Sequence, residues 1–425
     1  MTLKTLFSSI AAVTAVSAIP FAALAQQPMP VPMPVQQGPQ VAQPPVAPAM
    51  PVAEPAPLPL PLWDVGAAQE LLGFIRNIGA EGLSPTDYAP QALSDALASG
   101  DPMRMSEAAN ASFTKVASDL ALGHVRGKDR VDWHIKDPDL ADNRIDKLLR
   151  WSLHTRQVAE TLNGLMPKHP QYSSLKRALE VTPKTETAKI NRIRLNMDRW
   201  RWLPQDLGER YIIVNVPAYT AALVENGDTI SRHYAVAGAI KTPTPQLSVT
   251  ATGVIINPWW EIPSSIAGEV RGKAGYVAVK DDNGKVIRWR QPPGPSNALG
   301  KMKFVMPNAK AIYLHDTNAK SRFNARVRAF SHGCIRTKDI DDLATILLSE
   351  GSTEWTGEKV QQTLASGKTV EAKFPQPLPV YIVYMSSAAT VEGKIIDYSD
   401  VYKRDVPAIA ALGSSSKATA KVASR

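Results

Sequence analysis

The residues able to do chemistry in this chain of 425 are concentrated in two short runs. One is Ala329-Phe330-Ser331-His332-Gly333-Cys334-Ile335-Arg336, which holds the only cysteine. The other is Ile312-Tyr313-Leu314-His315-Asp316, whose histidine lies 19 residues before that cysteine. A sole thiol has no intramolecular disulfide partner, so it is a free thiol or an intermolecular bridge. It attacks as the thiolate, which needs a base or a positive neighbour. His315 and His332 are both candidate bases. His315 ends a strand-like stretch and can project from a rigid edge, with Asp316 or a backbone carbonyl holding its tautomer. Gly333 permits a tight turn, so the amides of Gly333 and Cys334 can form an oxyanion hole. Arg336 can take a carboxylate through two hydrogen bonds. Two bland or rival readings stand beside this one. The cysteine can be inert beside a core histidine. Alternatively, His315, Asp316, His332 and Cys334 can be four zinc ligands, although the preceding glycine fits a backbone oxyanion hole better than a metal site.

These runs need a rigid frame. From Arg192 onward the sequence reads as short strands, at Tyr211 to Val216, Thr220 to Val224, Ser231 to Ala237, Val249 to Ile256, Lys303 to Met306, Ala311 to Leu314 and Pro379 to Met385. Asn226-Gly227-Asp228 is a hairpin signal, and Asp339 to Ser349 is the clearest helix. The spacing predicts antiparallel hairpins and a mostly-β domain. A short helix from Arg194 to Pro204 carries Trp200 and Trp202 into a core. Between Asn257 and Gly300 no strand alternation is visible. That segment holds Pro258-Trp259-Trp260-Glu261-Ile262-Pro263, a short helix from Ser264, and Gln291-Pro292-Pro293-Gly294-Pro295. An aromatic and proline-rich excursion of this length predicts a lid or recognition loop rather than a packing flap.

Upstream, from Trp63 to about Thr182, apolar residues recur at helical spacing. Examples are Val65, Ala68, Leu71, Leu72 and Ile75, then Val116, Leu120 and Leu122, then Ile145, Leu148, Leu149 and Leu153. Ser84-Pro85 reads as a helix start. His124, His134, His154 and His169 lack metal-ligand spacing and read as packing or surface residues.

Met1-Thr2-Leu3-Lys4, an apolar run to about Leu24 and Ala23-Leu24-Ala25 predict a secretory signal peptide cut after Ala25. The run is broken by Ser8, Ser9, Thr14, Ser17 and Pro20 and is marginal for a membrane span. Export to an oxidising compartment makes an unpaired cysteine unusual, unless it is inert or retained for reactivity. Gln26 to Pro61 is a proline-rich, polyproline-like tether, either a spacer or a plain leader. The net charge of +9 has no run of five basic residues behind it, which argues against nucleic acid. It suits, weakly, an anionic polymer or membrane surface. From Ala388 the chain turns polar and reads as a flexible tail.

Ser331-His332-Gly333-Cys334-Ile335-Arg336, with Tyr313-Leu314-His315-Asp316-Thr317 upstream, resembles the active-site signature of the L,D-transpeptidases with a YkuD-type catalytic domain. The resemblance extends to Arg194 to Pro204, Val214 to Pro217, Lys241-Thr242-Pro243-Thr244-Pro245, Ile256-Asn257-Pro258-Trp259-Trp260, Gln291 to Pro295 and Asn297-Ala298-Leu299-Gly300. These runs are similar to the large periplasmic subgroup.

The resemblance implies a fold and a division of the chain. The fold class is α+β multidomain, with an all-helical scaffold domain, a mostly-β catalytic domain and an inserted capping segment. The divisions are signal peptide 1–25, tether 26–62, scaffold 63–190, catalytic domain 191–387 with capping segment about 257–300, and flexible tail 388–425. About ten residues separate Thr182 from Asn191, which leaves no room for the separate peptidoglycan-binding module of larger relatives.

It also implies chemistry. Cys334 would attack the diaminopimelate carbonyl of a peptidoglycan tetrapeptide stem and release the terminal D-alanine. A diaminopimelate amine of a second stem would resolve the acyl-enzyme, giving a 3-3 cross-link. His315 would be the base, His332 secondary, and Gly333 part of the oxyanion hole. Arg336, Tyr313, Trp259 and Trp260 would contact substrate. No cofactor or metal is implied, and carbapenem β-lactams would be covalent inhibitors. Water as acceptor makes an L,D-carboxypeptidase, an outer-membrane protein amine makes an anchoring enzyme, and a degenerate site would leave a non-catalytic wall scaffold.

Overall fold

Helices form in the first half of the chain where an apolar stripe follows a polar capping residue. In this computed structural model, which describes residues 59, 61–136, 143–352 and 354–422 with side chains to 413, Asp64 caps α1 (Val65–Asn77). Its Oδ1 accepts from the Ala67 amide at 2.8 Å. Ala68, Leu71, Leu72 and Ile75 face inward, while Val65 stays exposed. A single 3-10 turn, Pro85–Tyr88, follows Ser84 where a helix start was expected. The remaining helices of this half are α2 (Pro90–Ser99), α3 (Pro102–Leu122), α4 (Arg144–Thr155), α5 (Val158–Asn163), α6 (Pro170–Val181) and α7 (Thr187–Arg201). Helices α1 to α5 pack around Leu71, Ile75, Phe113, Val116 and Leu120. The expected signal peptide lies outside the described residues, as does nearly all of the tether.

α7 runs through the expected boundary at 190/191 and is apolar on one side only. Its other side buries Asn196, Asp198, Arg199 and Arg201. Each of the charged three is tied to a different part of the chain. Asp198 accepts from the amides of His124 at 2.6 Å and Val125 at 3.0 Å, and from Trp202 Nε1 at 2.8 Å. Arg201 donates to the Glu81 carbonyl and the Tyr172 hydroxyl, both at 2.5 Å. Arg199 pairs with Asp405 at 2.7 Å. Removing one partner of a buried pair costs about 3–5 kcal/mol. α7 is therefore tied by buried polar contacts both to the helical half and to the carboxyl-terminal segment at Asp405.

The sheet has nine strands: β1 (Arg210–Asn215), β2 (Thr220–Glu225), β3 (Asp228–Gly238), β4 (Leu247–Ile256), β8 (Met302–Val305), β9 (Leu314–His315), β10 (Ala329–Ser331), β11 (Ile335–Thr337) and β12 (Val370–Val383). Their order is β10-β3-β11-β9-β8-β4-β12-β1-β2, and β2 also pairs with β3, which closes the sheet on itself. Asn226 and Gly227 take positive φ of 50° and 88° at the β2–β3 hairpin. Three pairings are parallel rather than antiparallel as expected: β1 with β12, β3 with β10, and β9 with β11. Each joins strands separated by a long excursion, which can return the chain in the same direction. α9 (Ile340–Ser349) buries Leu343, Ala344, Leu347 and Leu348 in the enclosed core with Phe304, Leu314 and Ile335. α10 (Gly357–Ala365) adds Val360.

The excursion at 257–300 does contain strands. β5 (Trp260–Glu261), β6 (Val277–Lys280) and β7 (Val286–Gln291) form a separate antiparallel sheet in the order β5-β7-β6, with α8 (Ala267–Val270) between the first two. Most residues of β6 and β7 are exposed or half-buried, so no alternating apolar pattern marks them.

The flexible tail expected from 388 is also corrected. β13 (Ser387–Ala389) pairs with β14 (Ile395–Asp397), and α11 (Asp405–Val422) buries Ala408 and Leu412. Arg404 pairs with Asp132 at 2.7 Å, and Tyr384 donates to Asp400 at 2.7 Å. The segment is polar because it docks through hydrogen bonds, and composition alone does not separate that from disorder.

Candidate active site

Side chains alternate across a strand, so one register decides what the cleft contains. β9 and β11 run parallel, with Leu314 opposite Ile335 and His315 opposite Arg336. Leu314 and Ile335 are fully buried in the core. Their neighbours Tyr313, His315, Cys334 and Arg336 therefore share the opposite face. They line a cleft of ≈ 450 Å³ together with Lys303 and, from the capping segment, Trp260. β8 places Lys303 opposite His315.

The turn before Cys334 is held by two hydroxyls. Ser331 Oγ donates to the Cys334 carbonyl at 2.5 Å and accepts from the Gly333 amide at 3.1 Å. Thr244, fully buried, donates to the Gly333 carbonyl at 2.7 Å and accepts from the Gly238 amide at 2.9 Å. Tyr402 braces the same loop, donating to the Gly238 carbonyl at 2.5 Å. Gly333 has φ 115°, and a Cβ there would sit 3.1 Å from Ile312 Cδ1. Its amide is committed to Ser331, which corrects the expectation that it helps form an oxyanion hole. The Cys334 amide has no acceptor among the described residues.

Cys334 is half-buried, and its thiol lies 3.5 Å from the Ala311 carbonyl. Burial pushes the thiol pKa up. The amide and hydroxyl of Tyr313, then Lys303 and Arg336, favour the thiolate and oppose that rise. His315 is 5% exposed, and burial holds its pKa down at about 3, with Arg336 adding to the effect. The resting pair is therefore a neutral thiol and a neutral imidazole, not a preformed ion pair. Asp316 does not orient the ring through its carboxylate. That group accepts from the Lys301 amide at 2.8 Å and from Lys320 Nζ. It also fills the space above Gly300, where a Cβ would collide with Asp316 Oδ2. His315 Nδ1 is buried without a partner.

The other expected site residues are divided. His332 is exposed and faces Glu269 of α8 at 3.6 Å. Trp260 lines the cleft, but Trp259 lies under Arg290 at 4.2 Å and does not. Pro293 to Pro295 line a separate recess with Asn257 and Asp316. Sequence reasoning gave no role to Lys303, a lone lysine in a strand, or to Thr244, although Thr244 lies in the Lys241 to Pro245 run that carries the resemblance.

Burial of imidazoles makes stability depend on pH. His315 is held at about 3, and His169, stacked on Trp200 at 4.0 Å, at about 4. Below their ordinary value of 6.5 the unfolded chain takes protons that the folded chain refuses. Stability is thus lost as pH falls from 6.5 toward 4, by up to about 1.4 kcal/mol per pH unit for each histidine. His124, raised by its bond to Asp119, has the opposite slope, above 6.5 only. Urea midpoints across this range check the loss, and His169→Phe is expected to remove its share.

Residues 209–371 match the family described as the L,D-transpeptidase catalytic domain, and residues 60–179 match the one described as the Scaffold domain. Residues 209–371 are thus an L,D-transpeptidase catalytic domain, preceded by a scaffold domain. A curated Haemophilus influenzae protein, named as a candidate L,D-transpeptidase, is 29% identical over 290 residues. That match covers 61% of this chain and 58% of the relative. Among solved structures, an L,D-transpeptidase from Mycobacterium smegmatis matches at 15% identity and TM-score 0.22, covering 41% of this chain and 58% of that one. The catalytic domain of an Enterococcus faecium L,D-transpeptidase acylated by ertapenem matches at 15% identity and TM-score 0.19, covering 42% and 99%. The transpeptidase domain match holds all of β1–β11, while the carboxyl-terminal bracing by Tyr402 and Arg404 lies outside it.

Proposed function

We propose that this chain is a peptidoglycan L,D-transpeptidase of the periplasm, delivered there by its amino-terminal signal peptide, that makes 3-3 cross-links through a Cys334 acyl-enzyme. One observation carries the reading. The chain's sole thiol faces a cleft beside a buried, neutral imidazole on the paired strand, within a domain of this family.

The steps follow from that arrangement. His315 takes the thiol proton as sulfur attacks the carbonyl of the third stem residue, and the Cys334 amide donates to the developing oxyanion. The bond to D-alanine breaks, and the proton leaves on its amine. The diaminopimelate amine of a second stem then attacks the thioester. The thiolate departs and recovers a proton, and an amide cross-link remains. Arg336 and Lys303 make the cleft cationic, which suits stems that carry free carboxylates. Trp260 closes the cleft on the capping side.

Incubation with a carbapenem followed by intact-mass measurement tests the nucleophile. One adduct per chain, on the Cys334 peptide, is expected. An unmodified protein, or an adduct elsewhere, overturns the thiolate mechanism.

A further inference from the structure

Lys303 is half-buried on β8 and makes no ion pair among the described residues. A cation in such a place normally finds a carboxylate, because desolvating it alone is costly. Its ammonium instead lies 4.1 Å from the centre of the Tyr313 ring. Tyr313 is the residue whose amide and hydroxyl face the Cys334 sulfur. The β8–β9 register puts Lys303 opposite His315, on the lining of the same cleft.

We infer that Lys303 is a positioning residue for acyl transfer: it holds a positive charge over the Tyr313 ring, on the same cleft lining as the Cys334 sulfur, and so eases ionisation of the thiol. The inference rests on Cys334 being the nucleophile proposed above. Burial pushes the Lys303 pKa down, opposed by the Glu261 carboxylate and, once the thiol ionises, by the Cys334 thiolate. Burial also pushes the Tyr313 phenol up, which keeps it protonated and able to donate. The charged or titratable groups that line the cleft with Lys303 are Glu261 on β5, Lys310 on the loop before β9, Tyr313, His315, His332, Cys334 and Arg336. Glu261 is engaged with Arg288 at 3.3 Å. Arg336 is the other cation acting on the sulfur, so Lys303 supplies part of the effect, not all of it.

Alkylation of Cys334 by iodoacetamide reports thiol ionisation without any peptidoglycan. The rate is measured against pH for the full chain, Lys303→Met and Lys303→Arg. The Met variant is expected to shift the thiol midpoint up by about one pH unit, and so to slow alkylation at neutral pH about tenfold. Arginine is expected to restore the profile, because it restores the charge above the ring. Should Lys303→Met fold poorly by urea midpoint, Lys303→Gln replaces it. A profile unchanged in the neutral variants, or shifted equally in the Arg variant, overturns the inference. Neither result touches the transpeptidase reading, which fails only if Cys334 takes no carbapenem.

Discussion

Cys334→Ala is expected to lower the rate of acyl transfer by at least about 10³-fold, since removing the nucleophile of a covalent mechanism leaves only binding and charge stabilisation. No other side chain on the cleft replaces it. Among its lining groups, Lys303 is placed to act as a cation, and His332 faces Glu269 across the mouth. The folded state changes little, because the side chain is small and half-buried, so urea midpoints of the two proteins are expected to agree closely. The measurement is a mass spectrum of digested cell wall from a strain whose only L,D-transpeptidase is this one. Loss of 3-3 dimers supports the proposal. Loss of tripeptide stems alone means that water is the acceptor, and an unchanged wall means that the chain does not act on stems.

His315→Gln is expected to slow acylation by about 10²–10⁴-fold, the usual contribution of a positioned base. With its pKa near 3, the imidazole keeps its lone pair at any pH where the wall is built, and it can accept the thiol proton as the carbon–sulfur bond forms. The acylation profile of the native protein should then show no inflection near 6.5, where an ordinary imidazole titrates. It should rise on the alkaline side as the thiol ionises. His332→Gln is the control, since that exposed ring only faces Glu269. A loss of less than tenfold is expected from it. If the two effects were reversed, with His332→Gln the damaging change, the base would be misassigned. Acylation kinetics with a chromogenic carbapenem separate the cases.

The two halves of the site were not equally legible. Ser331 to Arg336 and Tyr313 to Asp316 stand out in the sequence because cysteine, histidine and glycine are rare in combination and their spacing is local. What they face is a matter of register. Tyr313 and Cys334 share a face only because β9 and β11 are parallel neighbours. The sequence pattern predicted antiparallel pairing throughout. Periodicity reports which side of a strand is buried, but carries no sign for the direction of the partner. The capping strands β6 and β7 escaped notice for a related reason. A sheet exposed on both faces has no apolar alternation to read.

Trp259 and Trp260 make the same point between adjacent residues. Both look like cleft aromatics, yet Trp260, on β5, lines the cleft, while Trp259, just before the strand, lies under Arg290. Gly333 was rightly singled out, but for its φ of 115° rather than for a free amide, which Ser331 occupies. Asp316 was placed on His315 by adjacency, while the fold spends it on Lys301 and Lys320.

By itself, the amino-acid sequence determined the helical half followed by the strand-rich half, the sole thiol and its two candidate bases. These follow from local spacing and residue type. Only the tertiary structure decided that His315 is the buried, neutral imidazole on the cleft that the thiol faces, that Lys303 stands over Tyr313, and that the polar segment after 388 braces the turn before Cys334. Those outcomes depend on strand order, register and desolvation, which are set by contacts between residues up to 272 positions apart.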